Sequence, residues 1–135
     1  MRLSIVSGGF DPLHIGHLEL LERSAAIADK LFVIVNTDQF LANKKGKPFM
    51  PLRERMMIVQ ALKPVNLTIK SIDEDHTVCA SLKFVNEMYR NKFDKIMFCG
   101  GQSDPIFHTN FLTFLKMCLE QNKQAIVHTA ASHKK

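Results

Sequence analysis

The sequence predicts an α/β fold: a doubly wound parallel sheet of five strands, with helices on both faces. Three observations carry this. Short runs rich in Val and Ile, at about 2–7, 31–36, 66–71, 95–99 and 124–128, alternate with segments of helical period. Leu31-Phe32-Val33-Ile34-Val35 is apolar without interruption, as a strand buried on both faces requires. The first strand runs directly into a glycine turn, Gly8-Gly9, followed by a new helical pattern.

Each helical segment has its own signal. Over 16–28, Leu18, Leu21, Ala25 and Ala28 form one stripe, with Leu20, Ser24 and Ile27 beside it. Over 51–63 the stripe is Leu52, Met56, Val59 and Leu62, bracketed by Pro51 and Pro64. Val78, Leu82, Val85 and Tyr89 mark a third helix over 78–90. Phe107, Phe111, Phe114, Leu115 and Cys118 mark a fourth over 105–121, entered through Asp104-Pro105. Right-handed crossovers then place these helices on both faces of the sheet.

The chain of 135 residues is expected to form a single domain, 1–135, with no repeat or linker. Its content is 46% hydrophobic and 23% charged, which excludes a disordered or fibrous chain. No apolar run has the length of a membrane span, and no signal core opens the sequence. Cys79, Cys99 and Cys118 are odd in number and widely spaced, so they read as reduced, buried thiols in a cytoplasmic protein. The net charge of +5 includes a cluster at Lys44, Lys45, Lys47, Arg53 and Arg55, suited to anionic ligands. Attraction to nucleic acid is an alternative source of that charge, although no recognition motif accompanies it.

The chemistry concentrates in Gly8-Gly9-Phe10-Asp11-Pro12-Leu13-His14-Ile15-Gly16-His17. Glycines let the backbone approach a ligand closely. A helix N-terminus presents free N–H groups to anions. His14 and His17 lie three apart and share one face of an opening helical turn, where two imidazoles can donate to phosphate oxygens. Two other readings of these residues stay open: a buried turn with structural histidines, and a zinc site built on His14, His17 and Asp11.

The stretch resembles the G-x-F-D-x-x-H-x-G-H signature of the nucleotidyltransferase superfamily, matching it at Gly8, Phe10, Asp11, His14, Gly16 and His17. That superfamily includes glycerol-3-phosphate cytidylyltransferases, the adenylyltransferase domain of heptose-phosphate enzymes and pantetheine-phosphate adenylyltransferases. The likeness continues through Asn36-Thr37-Asp38, a lysine-bearing loop and the Pro51-to-Arg55 helix entry, covering residues 1–75 well and the remainder loosely. It implies a Rossmann-like enzyme that joins a nucleoside triphosphate, CTP or ATP, to a small phosphorylated sugar or polyol and releases pyrophosphate. His14, His17 and Lys44 would be catalytic. Gly8, Gly9, Phe10, Asp11, Gly16, Arg55 and Gly101 would bind nucleotide, and Lys47 and Asp38 the second substrate. No protein-held metal is expected; Mg2+ would arrive with the triphosphate. The expected partners are these two small molecules, without a membrane, and a homodimer stays open.

Asp73-Glu74-Asp75 reads as a solvated loop and helix cap, or as a contact to a substrate hydroxyl. Two departures from the resemblance stand out. Gly100-Gly101-Gln102-Ser103-Asp104 lacks a carboxylate at Gln102, where the superfamily usually has one. After the last strand, Thr129 and Ser132 are hydroxyls, but no Ser-Thr-Thr helix follows them. The second departure predicts weak triphosphate affinity. It also keeps open a second function, a nucleotide-binding regulatory protein on the same scaffold.

Overall fold

The computed structural model describes residues 1–73, 79–89, 91–101 and 124–130. Its elements run β1 (Arg2–Gly8), α1 (Ile15–Ala26), β2 (Lys30–Val35), α2 (Asp38–Lys45), α3 (Leu52–Ala61), β3 (Leu67–Lys70), α4 (Cys79–Met88), β4 (Lys95–Gly101) and β5 (Gln124–Ala130). The five strands form one sheet in the order β3-β2-β1-β4-β5. All four pairings are parallel. The expected strands and the first three expected helices are therefore present. The helix expected over 105–121 lies outside the described residues.

Period-two alternation divides the core. Leu3 and Ile5 of β1, Phe32 and Ile34 of β2, and Ile96 and Phe98 of β4 face one side, where they meet Leu82 and Val85 of α4. Val6, Leu31, Val33, Val35, Met97 and Cys99 face the other side, where they meet Leu21 of α1 and Val59 of α3. Both faces are covered, so the continuous apolar strands have no wet side. Ser4 is a polar residue in β1 with no exposed surface; its Oγ donates to the Ser24 carbonyl of α1 at 2.7 Å. Among the described residues, no helix is long and apolar enough to cross a membrane.

Chain order reverses between β1 and β4. From β1 the sheet grows outward through β2 and β3, and the chain then crosses to the other side of β1 for β4 and β5. In open α/β sheets, ligands bind at the carboxyl ends of the strands beside such a reversal. The Gly8–His17 stretch leaves β1 at that point.

Two expectations need correction. The lysine-bearing segment after β2 is a helix, α2, rather than a loop. Thr37 Oγ1 accepts from the Phe40 amide at 3.1 Å to start it, and Gly46, at φ 93°, ends it. Its apolar signal is short, since Leu41 supplies its buried anchor. Asp73 is buried rather than solvated. Its carboxylate accepts from the amides of Ala80 and Ser81 at 2.7 and 3.0 Å and from the hydroxyls of Ser81 and Ser71 at 2.5 and 3.3 Å. It thus caps the first turn of α4 and ties it to the segment after β3, which leaves it fully engaged within the protein. Glu74 and Asp75 lie outside the described residues.

Replacing Asp73 by Ala strips these donors of their acceptor. The expected loss is about 2–3 kcal/mol of unfolding free energy, measured by urea denaturation. A loss below about 0.5 kcal/mol would show that the cap contributes nothing.

Candidate functional site

The turn after β1 is shaped by packing. Phe10 adopts φ 53° and folds its ring inward, leaving 3% of the residue exposed. A Cβ on Gly8 would sit 3.1 Å from that ring, and a Cβ on Gly9 would sit 2.9 Å from Leu41 of α2. The two glycines therefore let the turn close onto its own phenylalanine and onto α2. Asp11 holds the other side: its carboxylate accepts from the amides of Phe49 and Met50 at 2.7 and 2.6 Å. The nucleotide-binding role implied for Asp11 is thus joined by a structural one, a tether between the turn and the segment entering α3.

His14 is the N-cap of α1, and the two histidines form a reciprocal capping box. His14 Nδ1 accepts from the Gly16 amide at 3.1 Å, and His17 Nδ1 accepts from the His14 amide at 3.2 Å. The rings stack at 3.8 Å, and Phe10 meets His17 edge-on at 5.0 Å. This geometry decides the tautomers. A ring nitrogen that accepts an amide proton carries none itself, so a neutral histidine here holds its proton on Nε2. Two Nε2–H donors then stand side by side at the N-terminus of α1. Burial, followed by the neighbouring His14 charge, pushes the His17 pKa down to about 4. His17 is therefore neutral near pH 7 and acts as a hydrogen-bond donor.

Arg55 occupies a different position from the one its nucleotide-binding role implies. Its side chain has no exposed surface. Nε donates to the Met50 carbonyl at 2.9 Å, and Nη1 to the carbonyls of Gly9 and Asn36 at 2.9 and 2.7 Å. Nη2 pairs with Asp38 Oδ1 at 2.6 Å. The guanidinium thus joins the glycine turn, the end of β2, the start of α2 and the entry to α3. It positions the site from beneath, and Asp38, implied as a substrate ligand, is its counter-ion. Arg53, two residues away, is exposed.

The remaining expected residues distribute as follows. Gly16 lies in the first turn of α1. Gly101 ends β4 and pairs with Ala130 of β5. Lys44 lies in the last turn of α2, and Lys47 is exposed just beyond it. Among the described residues, no group of three His, Cys, Asp or Glu is placed to hold a metal ion. Sequence reasoning missed the tether by Asp11 and the clamp by Arg55, because Asp11 accepts from backbone amides and Arg55 donates mainly to backbone carbonyls, several of them distant in sequence. It also passed over α2, whose Thr37-Asp38 start is a readable cap signal.

Comparison with known proteins bears on this geometry. A family model described as cytidylyltransferase-like matches residues 5–135. The FAD synthase of Ferroglobus placidus is 39% identical over 75 residues, covering 56% of this chain and 49% of that protein. The FAD synthase of Methanospirillum hungatei is 42% identical over 71 residues, covering 53% and 45%. The bifunctional protein HldE of Methylococcus capsulatus is 39% identical over 70 residues, covering 50% and 15%. The chain spans about half the length of the first of these curated relatives. Among solved structures, a lipopolysaccharide core biosynthesis protein from Thermoplasma volcanium superposes with a TM-score of 0.72 at 21% identity, covering 99% of both chains. NadR protein in complex with NAD and AMP-PNP gives 0.65 at 18% identity, covering 98% of this chain and 38% of that one.

Two measurements test this geometry. Truncating Arg55 to Ala leaves three carbonyls and the Asp38 carboxylate without their donor, with an expected destabilisation of about 3–5 kcal/mol. Arg55→Lys should recover only part of it, because an ammonium cannot span the fork. Calorimetric unfolding of both variants reads the difference, and equal stability to wild type would remove the clamp. For His17, the unfolded chain takes up a proton below the ordinary pKa of 6.5, while the folded chain resists until about 4. Its contribution to stability is therefore complete above pH 6.5 and falls as pH drops from 6.5 towards 4. Histidine NMR titration should find the His17 ring neutral at pH 5.5; a midpoint near 6.5 would contradict the capping-box assignment.

Proposed function

Because the chain belongs to the cytidylyltransferase-like family, we propose that it is a nucleotidyltransferase. It joins the nucleotidyl group of ATP or CTP to a small phosphorylated sugar or polyol and releases pyrophosphate. The observation that carries this reading is the pair of Nε2–H donors built by His14 and His17 at the N-terminus of α1.

The chemistry needs no covalent enzyme intermediate. A phosphate oxygen of the acceptor attacks the α-phosphorus in line. The bond from that phosphorus to the β-bridging oxygen breaks, and its electron pair leaves with pyrophosphate. Negative charge grows on the leaving oxygens as the bond lengthens, and donors fixed in advance stabilise that charge. His14 and His17 supply such donors without the reorientation that free imidazoles would require, since backbone amides hold each ring at Nδ1. His17 stays neutral throughout and gives up no proton. Lys44 lies at the end of α2, on the β2 side of the turn, and its role is to neutralise charge between the two reacting phosphates. Magnesium enters as part of the triphosphate substrate, held by phosphate oxygens and water. The relatives named FAD synthase favour ATP as the nucleotide.

A panel of ATP and CTP against sugar and polyol phosphates, scored by pyrophosphate release, tests the reading directly. With the productive pair in hand, His17→Ala should lower kcat by at least about a hundredfold without loss of folded structure, because its donor acts mainly on charge that develops in the transition state. Lys44→Ala should reduce kcat more than Lys45→Ala or Lys47→Ala. Turnover by His17→Ala within about threefold of wild type would end the assignment.

A further inference from the structure

Gly9 occupies a variable position of the G-x-F-D-x-x-H-x-G-H pattern, so the signature gives no reason for a glycine there. The backbone gives none either. Among the described glycines only Gly46 has a positive φ, so Gly9 holds a conformation that other residues adopt. Space gives the reason: a Cβ at Gly9 would lie 2.9 Å from Leu41 Cδ2, with Cδ1 at 3.7 Å and Cγ at 3.8 Å. Leu41 is 4% exposed, and it is the buried residue among the described ones of α2. Its tip is enclosed by close-packed neighbours, so room for a Cβ has to come from displacing α2 or the turn. Gly9 is held from a second direction as well. Its carbonyl accepts from Arg55, which also pairs with Asp38 at the start of α2.

Helix α2 is therefore docked on Gly9 twice, through the guanidinium at Asp38 and through apolar contact at Leu41. Lys44 follows Leu41 by three positions, about one turn further along the same helix. We propose that Leu41 is a positioning residue for nucleotidyl transfer: seated on Gly9, it fixes the distance between the histidine turn and the helix that carries Lys44. This rests on the nucleotidyltransferase reading above and goes beyond it, by naming what holds the lysine in register with the two imidazole donors. Transfer depends on charged and donor groups that are in place before the bond breaks. A misplacement of about 1 Å in such a group costs up to about a hundredfold in rate. The loss falls on kcat, because the lysine acts on charge that develops as transfer proceeds.

The test is steady-state pyrophosphate release on the productive pair of triphosphate and sugar or polyol phosphate. Gly9→Ala introduces the clashing methyl, and its kcat should fall at least about tenfold at a wild-type KM for the triphosphate. Leu41→Val withdraws both Cδ atoms, so in the double variant Gly9→Ala/Leu41→Val the new Cβ meets side chain 41 at the ordinary Cγ distance. The double variant should recover kcat to within about threefold of wild type. Lys44→Ala separates misplacement from loss of folded protein. In that background Gly9→Ala should change kcat by less than about twofold, because the group it displaces is already gone, whereas unfolding lowers turnover in any background. Gly9→Ala turning over at the wild-type rate would overturn the inference, since the leucine tip would then absorb the methyl by rotating. A double variant no faster than Gly9→Ala would overturn it too, as would an undiminished loss in the Lys44→Ala background. Wild-type turnover by Lys44→Ala would remove the lysine's role and this inference with it, while leaving the nucleotidyltransferase reading intact. Absence of pyrophosphate release by wild type with every acceptor in the panel would remove both.

Discussion

A single buried guanidinium holds the site together. Arg55 bonds to carbonyls from the glycine turn, the end of β2 and the entry to α3, and pairs with Asp38 at the start of α2. They lie in three stretches of the chain, the glycine turn, the β2–α2 junction and the entry to α3, and nothing in their local sequence requires the three to meet. A charged side chain with no exposed surface is tolerated only when its donors are engaged and its charge is paired. Here three carbonyls and one carboxylate accept its four hydrogen bonds, and the planar fork sets the directions in which the connected segments can lie. The guanidinium therefore fixes these segments relative to one another.

The histidine turn carries its own economy of parts. In most capped helices a serine or aspartate satisfies the first amides. Here the capping groups are the imidazoles themselves. Capping consumes Nδ1 of each ring and leaves Nε2–H as the outward donor, so one set of bonds ends the helix and determines the protonation pattern of the site. Phe10 backs His17 with its ring edge, and Gly8 and Gly9 leave the room that this phenylalanine and Leu41 need. Burial that lowers the His17 pKa is a by-product of the same packing.

The sheet explains why these parts collect at one place. Chain order reverses at β1, and β1, β2 and β4 each end in a polar or glycine-rich stretch at the carboxyl edge of the sheet, where ligands of such sheets bind. Asn36 follows β2, Gly101 ends β4, and the His14–His17 turn follows β1. Membership of the cytidylyltransferase-like family accords with this placement, and the superposition on a Thermoplasma volcanium protein at 21% identity shows how far the fold persists as sequences diverge.

The layered α/β class, the five strands and the His14–His17 turn are legible in the order of residues alone. Period, punctuation by glycine and proline, and a short local signature are properties of neighbouring residues, and they survive without knowledge of the fold. Helix α2 was readable in principle from Thr37-Asp38, but its short apolar stripe hid it beneath a run of lysines. What Arg55, Asp11 and Asp73 do depends on contacts that only the fold creates. Arg55 looked like a surface cation for phosphate and is buried on carbonyls up to 46 residues away. Asp11 looked like a ligand for the nucleotide and binds amides 38 and 39 residues on. Backbone carbonyls and amides are identical at every position, so no pattern of side chains announces which of them a charged residue will find. That choice is made by the sheet order, which brings distant turns within hydrogen-bonding reach.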